Sequence, residues 1–406
     1  MDCDLYLLLM PAATFAAAVV LVPPVRAIAR RAGIFAYPDH VRRFHPVPVP
    51  LWGGIAVCLA WLVGILAIRL GPGAMDQDLA DLCRALIPAA GLACLFGALD
   101  DRWDLPPRLK LVLQLFAVTP IVAAGYSVDF LVIFGCHIDL GWLGIPLTIL
   151  WLLGCINALN LIDGMDGLAS MVGLSTAAMM GLVALSRGNG DVATIAFLLA
   201  GALAGFLVYN LPPASIYLGD SGSTLIGLIV GILGIEGSLK SSATLSITAP
   251  AVVMTLPMFD VLMALVRRKL TGRPFDVGDR EHIHHRLLQR GLGPYQVLSV
   301  IGVVCLTTGA AATAATIFRM DALAWITATT LIVLLIRLRL FGHHEFGLVR
   351  GALRNNLSSF ARRLLGQDAY NPTPPEETAP DTPETAEKIP DAAGTMLDVQ
   401  KRRRAA

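Results

Sequence analysis

Charge is what this sequence lacks. Asp, Glu, Lys and Arg make up 15% of its 406 residues, against 55% apolar. Soluble domains carry about a quarter charged residues, so a soluble globule is excluded. There is no C-x-x-C pair. The seven cysteines (Cys3, Cys58, Cys83, Cys94, Cys136, Cys155, Cys305) are scattered, mostly inside apolar blocks, and read as small buried hydrophobes rather than a disulfide or metal framework. No Lys or Arg precedes the first apolar run. A secretory signal would begin with positive charge, so this run reads as a retained helix. A net charge of +1 provides no field for nucleic acid. No internal repeat supports the inverted halves of a transporter.

What is present is apolar length. Mean hydropathy is +0.67. A bilayer core of about 30 Å takes about 20 apolar residues per helix, and about eleven such blocks can be laid out. They run near 5–22, 51–70, 85–99, 109–125, 145–161, 167–185, 192–209, 217–235, 244–266, 295–318 and 322–341. The alternating strands of an outer-membrane barrel are not seen. The fold class expected is an all-α polytopic membrane protein, with a short external β-hairpin near 126–142. Three parts are expected: a transmembrane catalytic domain over 1–341, an amphipathic interfacial helix over 342–365 and a disordered cytoplasmic tail over 366–406.

Basic residues set the orientation. One set of loops holds Arg26, Arg30, Arg31, Arg42 and Arg43, then Arg102, Arg108 and Lys110, then seven Arg and Lys between Arg267 and Arg290. The opposite loops are poor in them. The N-terminus is therefore expected outside and the 267–294 loop inside. Acids gather at the same inner ends: Asp100, Asp101, Asp104, Asp163, Asp166, Asp220 and Asp260. Ionisable groups near membrane depth are costly and mark function.

Four strings carry chemistry. Asp100-Asp-Arg-Trp-Asp104 matches DDxxD, whose like charges suit a divalent metal with a diphosphate. The same motif serves prenyl-transferring enzymes. In the segment Asn157 to Gly167, Asn157, Asn160 and Asp163 recur every third residue and line one helical face, while Gly164 and Gly167 let the backbone turn. Asp220 opens a helix amid Gly and Ser, a setting for a metal or phosphate, and Tyr217 is placed to stack on a base. The loop with Arg280, His282, His284 and His285 lacks the H-E-x-x-H spacing of a zinc site and suits diphosphate oxygens and sugar hydroxyls.

Together these strings resemble the polyprenyl-phosphate N-acetylhexosamine-1-phosphate transferases of glycosyltransferase family 4, which include the phospho-MurNAc-pentapeptide translocase. The resemblance covers about 1–341 and takes in Pro38-Asp39-x-x-Arg42-Arg43-x-His45 through Gly53-Gly54, DDxxD with Lys110, NALNLIDGMDGLA, Asn210 ten residues before Asp220, and HIHHRL. It implies transfer of a sugar-1-phosphate from a UDP-sugar to undecaprenyl phosphate, releasing UMP and starting cell-envelope polysaccharide synthesis. By the same resemblance Asp220 and Asn160 hold Mg²⁺, with Mn²⁺ a substitute. Asp100 and Asp101 form the catalytic pair, with Lys110 near the phosphates. Asp163, Gly164, Met165, Asp166, Tyr217 and Asn210 bind the nucleotide. Arg280, His282, His284 and His285 hold the sugar and diphosphate. Arg42, Arg43 and His45 are candidates for the lipid phosphate. The HIHH form is similar to the N-acetylglucosamine branch. Expected partners are undecaprenyl phosphate, a UDP-N-acetylhexosamine, membrane lipids and a second copy of the chain as a homodimer, at a bacterial cytoplasmic membrane.

Two rivals stand beside this reading. An intramembrane prenyltransferase should carry a second Asp-rich motif of the DDxxD kind. A lipid-linked transporter or flippase should place acids at mid-span. The orientation has its own test: Arg280→Cys should resist impermeant thiol reagents in intact cells and react after lysis, whereas ready labelling in intact cells would reverse the topology.

Overall fold

The computed structural model describes residues 3–36, 48–71, 75–133, 136–239, 248–272 and 282–338, with isolated positions 347, 350 and 354. The chain divides into two units, Met1–Ala352 and Leu353–Ala406. Of the second, Arg354 alone is described. The expected interfacial helix and tail, and Arg42, Arg43, His45 and Arg280, thus lie almost wholly outside the described residues.

The first unit is helical. In chain order the helices are α1 (Cys3–Arg31), α2 (Gly53–Leu70), α3 (Gln77–Trp103), α4 (Pro107–Ala123), α5 (Gly144–Ile162), α6 (Leu168–Ser186), α7 (Gly190–Asn210), α8 (Gly219–Leu239), α9 (Thr248–Val253), α10 (Thr255–Thr271), α11 (Ile283–Gln289), α12 (Pro294–Phe318) and α13 (Asp321–Arg337). Among the described residues, eight helices are long and apolar enough to cross a membrane. The shorter α4 and α13, of 17 residues each, fall on two of the remaining expected spans, and α10, also of 17, overlaps the third. The chain is a multi-pass membrane protein.

The expected span at 244–266 is split. Pro257 has no N–H to give the carbonyl of Val253, so the helix breaks after α9 and restarts as α10. The expected hairpin is present: β3 (Phe130–Ile133) pairs antiparallel with β4 (Cys136–Asp139). A second, two-residue pairing was not anticipated, between β1 (Phe35–Ala36) and β2 (Val49–Pro50). Beside it the amide of Tyr217 donates to the carbonyl of Pro50 at 2.8 Å, and Gly53 donates to that of Tyr217 at 2.9 Å.

Helix α8 is the central member, packed against α2, α3, α5, α6 and α7. Lipid tails provide no hydrophobic drive between helices, so close approach through small residues does the work. On α8, Gly222 meets Gly54 of α2, and Gly227 meets the Cys155–Ile156 backbone of α5. Gly97 of α3 lies against the carbonyl of Asp220. Larger side chains such as Trp61, Leu86 and Phe206 fill the remaining interior. A methyl group at Gly54 would fall inside van der Waals contact of the Gly222 backbone. Gly54→Ala should therefore cost about 1–3 kcal/mol, the usual range for overpacking. The check is a lowered Tm of the purified protein in detergent; an unchanged Tm would contradict the tight α2–α8 seam.

Candidate functional site

The C-terminal ends of α3 and α5 and the N-terminal ends of α4 and α8 meet at one cluster. Lys110, in the first turns of α4, places its ammonium 2.7 Å from Asp100 Oδ2 and 3.5 Å from Asp220 Oδ2. The amide of Leu105 donates to Asp100 Oδ1 at 2.9 Å, because the chain leaves α3 at Asp104 in the left-handed region (φ 46°). That turn separates the acids that a continuous helix would align. Asp104 stands fully exposed, 4.0 Å from Lys110. Asp101 points the other way. Its two oxygens accept the amides of Asp220 at 2.8 Å and Ser221 at 3.2 Å, so it caps the N-terminus of α8 from a neighbouring helix.

Asn160 of α5 completes the group. Its amide donates to Asp220 Oδ1 at 2.7 Å and to Ser223 Oγ at 3.2 Å. The carboxyl groups of Asp100, Asp104 and Asp220 surround the one ammonium of Lys110. Among the described residues, no three His, Cys, Asp or Glu side chains form a ready-made metal shell. The donor set still fits Mg²⁺, which binds through one or two carboxylates and completes its shell with waters and substrate phosphates. Asp220 provides the hard anionic oxygen, and a rotation of the Asn160 amide would provide a neutral one.

The expected nucleotide residues divide. Asp166 is buried and accepts the amide of Ala214 at 2.8 Å. Asn210 donates to the carbonyl of Ile216 at 3.0 Å and accepts the hydroxyl of Ser170 at 2.8 Å. Both therefore fix the 211–218 loop that presents the half-buried Tyr217. A second prenyl-diphosphate motif would need its acids together at the surface, which the buried Asp166 does not provide. Asp163 ends α5, and Gly164 lies exposed beside it. Met165 is partly buried against the core.

The histidines are seated by a residue whose partner the sequence did not reveal. Asp260 of α10, 1% exposed, lies 2.8 Å from His282 Nδ1 and accepts the amide of Ile283 at 3.3 Å. It anchors the start of α11. His284 is then buried against Gly164, where an added Cβ would sit 2.5 Å from its Nε2. His285 packs on it with ring centroids 4.1 Å apart. Neither nitrogen of His284 has a hydrogen-bond partner among the described residues. Burial first, then the neighbouring His285 and His282, holds its imidazole well below the ordinary range, so it is neutral. Two further polar contacts escaped the sequence reading: Ser223 on Asn160, and Gln114 of α4, which accepts from Asn157 at 2.9 Å. The lone Gln in the apolar run of α4 was the available signal.

Residues 83–238 match the model of glycosyl transferase family 4. The chain is 33% identical over 351 residues, 85% of its own length and 93% of the relative's, to a protein of Bacillus subtilis named as a probable undecaprenyl-phosphate N-acetylglucosaminyl 1-phosphate transferase. It is 34% identical over 315 residues to the decaprenyl-phosphate N-acetylglucosaminephosphotransferase of Mycobacterium tuberculosis H37Rv, covering 68% of this chain and 74% of that one. The undecaprenyl-phosphate alpha-N-acetylglucosaminyl 1-phosphate transferase of Escherichia coli K12 is 27% identical over 285 residues, with 68% and 75% covered. The fold and site define a membrane-embedded transferase of the glycosyl-1-phosphate type. The chain belongs to glycosyl transferase family 4.

The neutral His284 has a consequence for acid stability. Unfolding frees its ring to take up a proton at the ordinary histidine pKa of about 6.5, which the folded state resists. Stability present above that pH is lost as pH falls through it toward the lower folded value. His284→Gln should flatten the fall in Tm between about pH 7.5 and 5.5. An unchanged slope would mean that the ring takes up its proton alike in the folded and unfolded states.

Proposed function

We propose that the chain transfers N-acetylglucosamine-1-phosphate from UDP-N-acetylglucosamine to undecaprenyl phosphate, releasing UMP, at the cytoplasmic face of a bacterial inner membrane. The observation that carries this reading is the cluster of Asp100, Lys110, Asp220 and Asn160 at the end of an apolar bundle, in a chain whose relatives carry such names. A soluble nucleotide and a lipid anchored in the bilayer can meet only at such a boundary.

The chemistry follows from the contacts. Diphosphate exchange needs charge neutralisation and alignment above all. Asp220 and Asn160 would hold Mg²⁺, which when bound offsets the charge of the donor diphosphate. Lys110 adds a fixed positive charge beside the phosphates. Asp100 takes the proton of the acceptor phosphate, and the N–H groups of Lys110 and Leu105 that its two oxygens accept orient it. Asp101 acts through Asp220, by fixing the start of α8. Tyr217 faces the uracil, with the loop behind it held by Asp166 and Asn210. His284, neutral and without a hydrogen-bond partner among the described residues, is suited to sugar hydroxyls or diphosphate oxygens next to Gly164.

The test is purified protein with undecaprenyl phosphate, Mg²⁺ and a panel of UDP-sugars, with UMP release measured. UDP-N-acetylglucosamine should be turned over in preference; turnover with UDP-MurNAc-pentapeptide alone would overturn the donor assignment. Asp220→Asn should slow the reaction about 10²–10³-fold, the usual loss for one preorganised transition-state contact. It should also raise the Mg²⁺ requirement. Near-full activity with an unchanged Mg²⁺ titration would place the metal elsewhere.

A further inference from the structure

The polar strip on α4 and α5 does not stop at the catalytic cluster. Gln114 lies four residues beyond Lys110 on α4, so the two share a face. It is seven residues from the start of the helix at Pro107, about 10 Å along its axis toward the bilayer interior. Asn157 lies three residues before Asn160 on α5, again on the same face. Asn157 Nδ2 donates to Gln114 Oε1 at 2.9 Å and to the carbonyl of Leu153 at 2.8 Å.

The second of those bonds fixes the orientation of the first. A main-chain carbonyl accepts only, so the Asn157 amide nitrogen must face Leu153. Gln114 must therefore present its oxygen to Asn157. The two N–H groups of Gln114 Nε2 then have no partner among the described residues. The side chain is partly exposed, on a helix whose Leu111, Val112, Leu115 and Phe116 are all exposed. On a lipid-facing helix, unsatisfied donors are costly and call for a ligand. A soluble nucleotide does not reach this depth. A phosphate monoester on an apolar chain does, and the ammonium of Lys110 one turn nearer the cluster would share its charge.

We propose that Gln114 is a binding residue for the acceptor phosphate. Its amide, oriented by Asn157, guides the phosphate of the polyprenyl lipid from the bilayer side between α4 and α5 to Lys110 and Asp100. This rests on the transferase reading above and adds to it a residue on the acceptor path.

Two variants separate this role from helix-to-helix adhesion. Gln114→Glu keeps an oxygen for Asn157 but replaces the donors with negative charge. Gln114→Lys keeps donors and discards the acceptor. On this proposal Gln114→Glu raises the KM for undecaprenyl phosphate about tenfold or more, the worth of a hydrogen bond to a charged group, and leaves the KM for the UDP-sugar unchanged. Gln114→Lys holds the acceptor KM near the wild-type value. Adhesion alone gives the reverse order: the Glu variant nearly intact, the Lys variant impaired, with both substrates affected together. That order overturns the proposal.

Retention of radiolabelled undecaprenyl phosphate by the purified protein gives a second readout that needs no turnover. Gln114→Glu should lose retention while still binding UDP-sugar, which also reports that it is folded; wild-type retention in the Glu variant overturns the proposal. Phosphatidic acid and phosphatidylglycerol serve as competitors. Displacement by them as effective as by undecaprenyl phosphate would make this a general anionic-lipid contact and overturn the acceptor assignment. If the wild type neither retains undecaprenyl phosphate nor transfers to it, the transferase reading fails first. If the wild type does both and Gln114→Glu matches it, the transferase reading stands and this inference alone falls.

Discussion

The first amides of a helix have no carbonyl within the helix to bond, and at the start of α8 two of them are taken by Asp101 of α3. This pairing sets the register between the two helices. It allows Gly97 to lie against the Asp220 carbonyl, and it explains why Gly219, at φ 73°, has no side chain: a Cβ there would sit 2.5 Å from Asp101 Oδ2. Once α8 is fixed, Asp220 faces Lys110 and Asn160. The clustered groups come from four helices, and the cap is what brings them to one point.

Polar groups in this bundle fall into two kinds. Asp101, Asp166, Asn210 and Asp260 accept or donate to main-chain groups, and each holds a loop or a helix start. They make the frame. Asp100, Lys110, Asp220 and Asn160 bond mainly to one another across helices, and His284 bonds to nothing described. These retain capacity for a substrate. In a medium with little water, a polar group that is fully satisfied specifies geometry, and one that is not marks a binding position.

The histidine segment shows how the parts are joined. Asp260 belongs to α10, which restarts after the break imposed by Pro257. The break leaves Asp260 able to reach both His282 and the amide of Ile283, and α11 follows from there. His284 is thereby delivered to the glycine turn after α5. Gly164 leaves the space that the ring occupies.

The sequence by itself determined the membrane class and the helices, because burial in lipid demands long apolar runs and little else. It also determined the β3–β4 hairpin and singled out the polar strings that the fold brings together, since clustered Asp, Asn and His among such runs are costly in lipid. It did not reveal the division of labour within each string. DDxxD reads as one acidic motif, yet Asp100 and Asp104 face Lys110 while Asp101 turns to the start of α8. Asp166 and Asn210 read as ligands for a nucleotide, yet their hydrogen bonds run to the main chain of the loop beneath Tyr217. Such assignments rest on contacts between residues 48, 60 and 119 positions apart. Periodicity reports only which residues share a face of one helix. The packing of one helix on another, set here by glycine contacts and a borrowed cap, decided which of those residues were left to act.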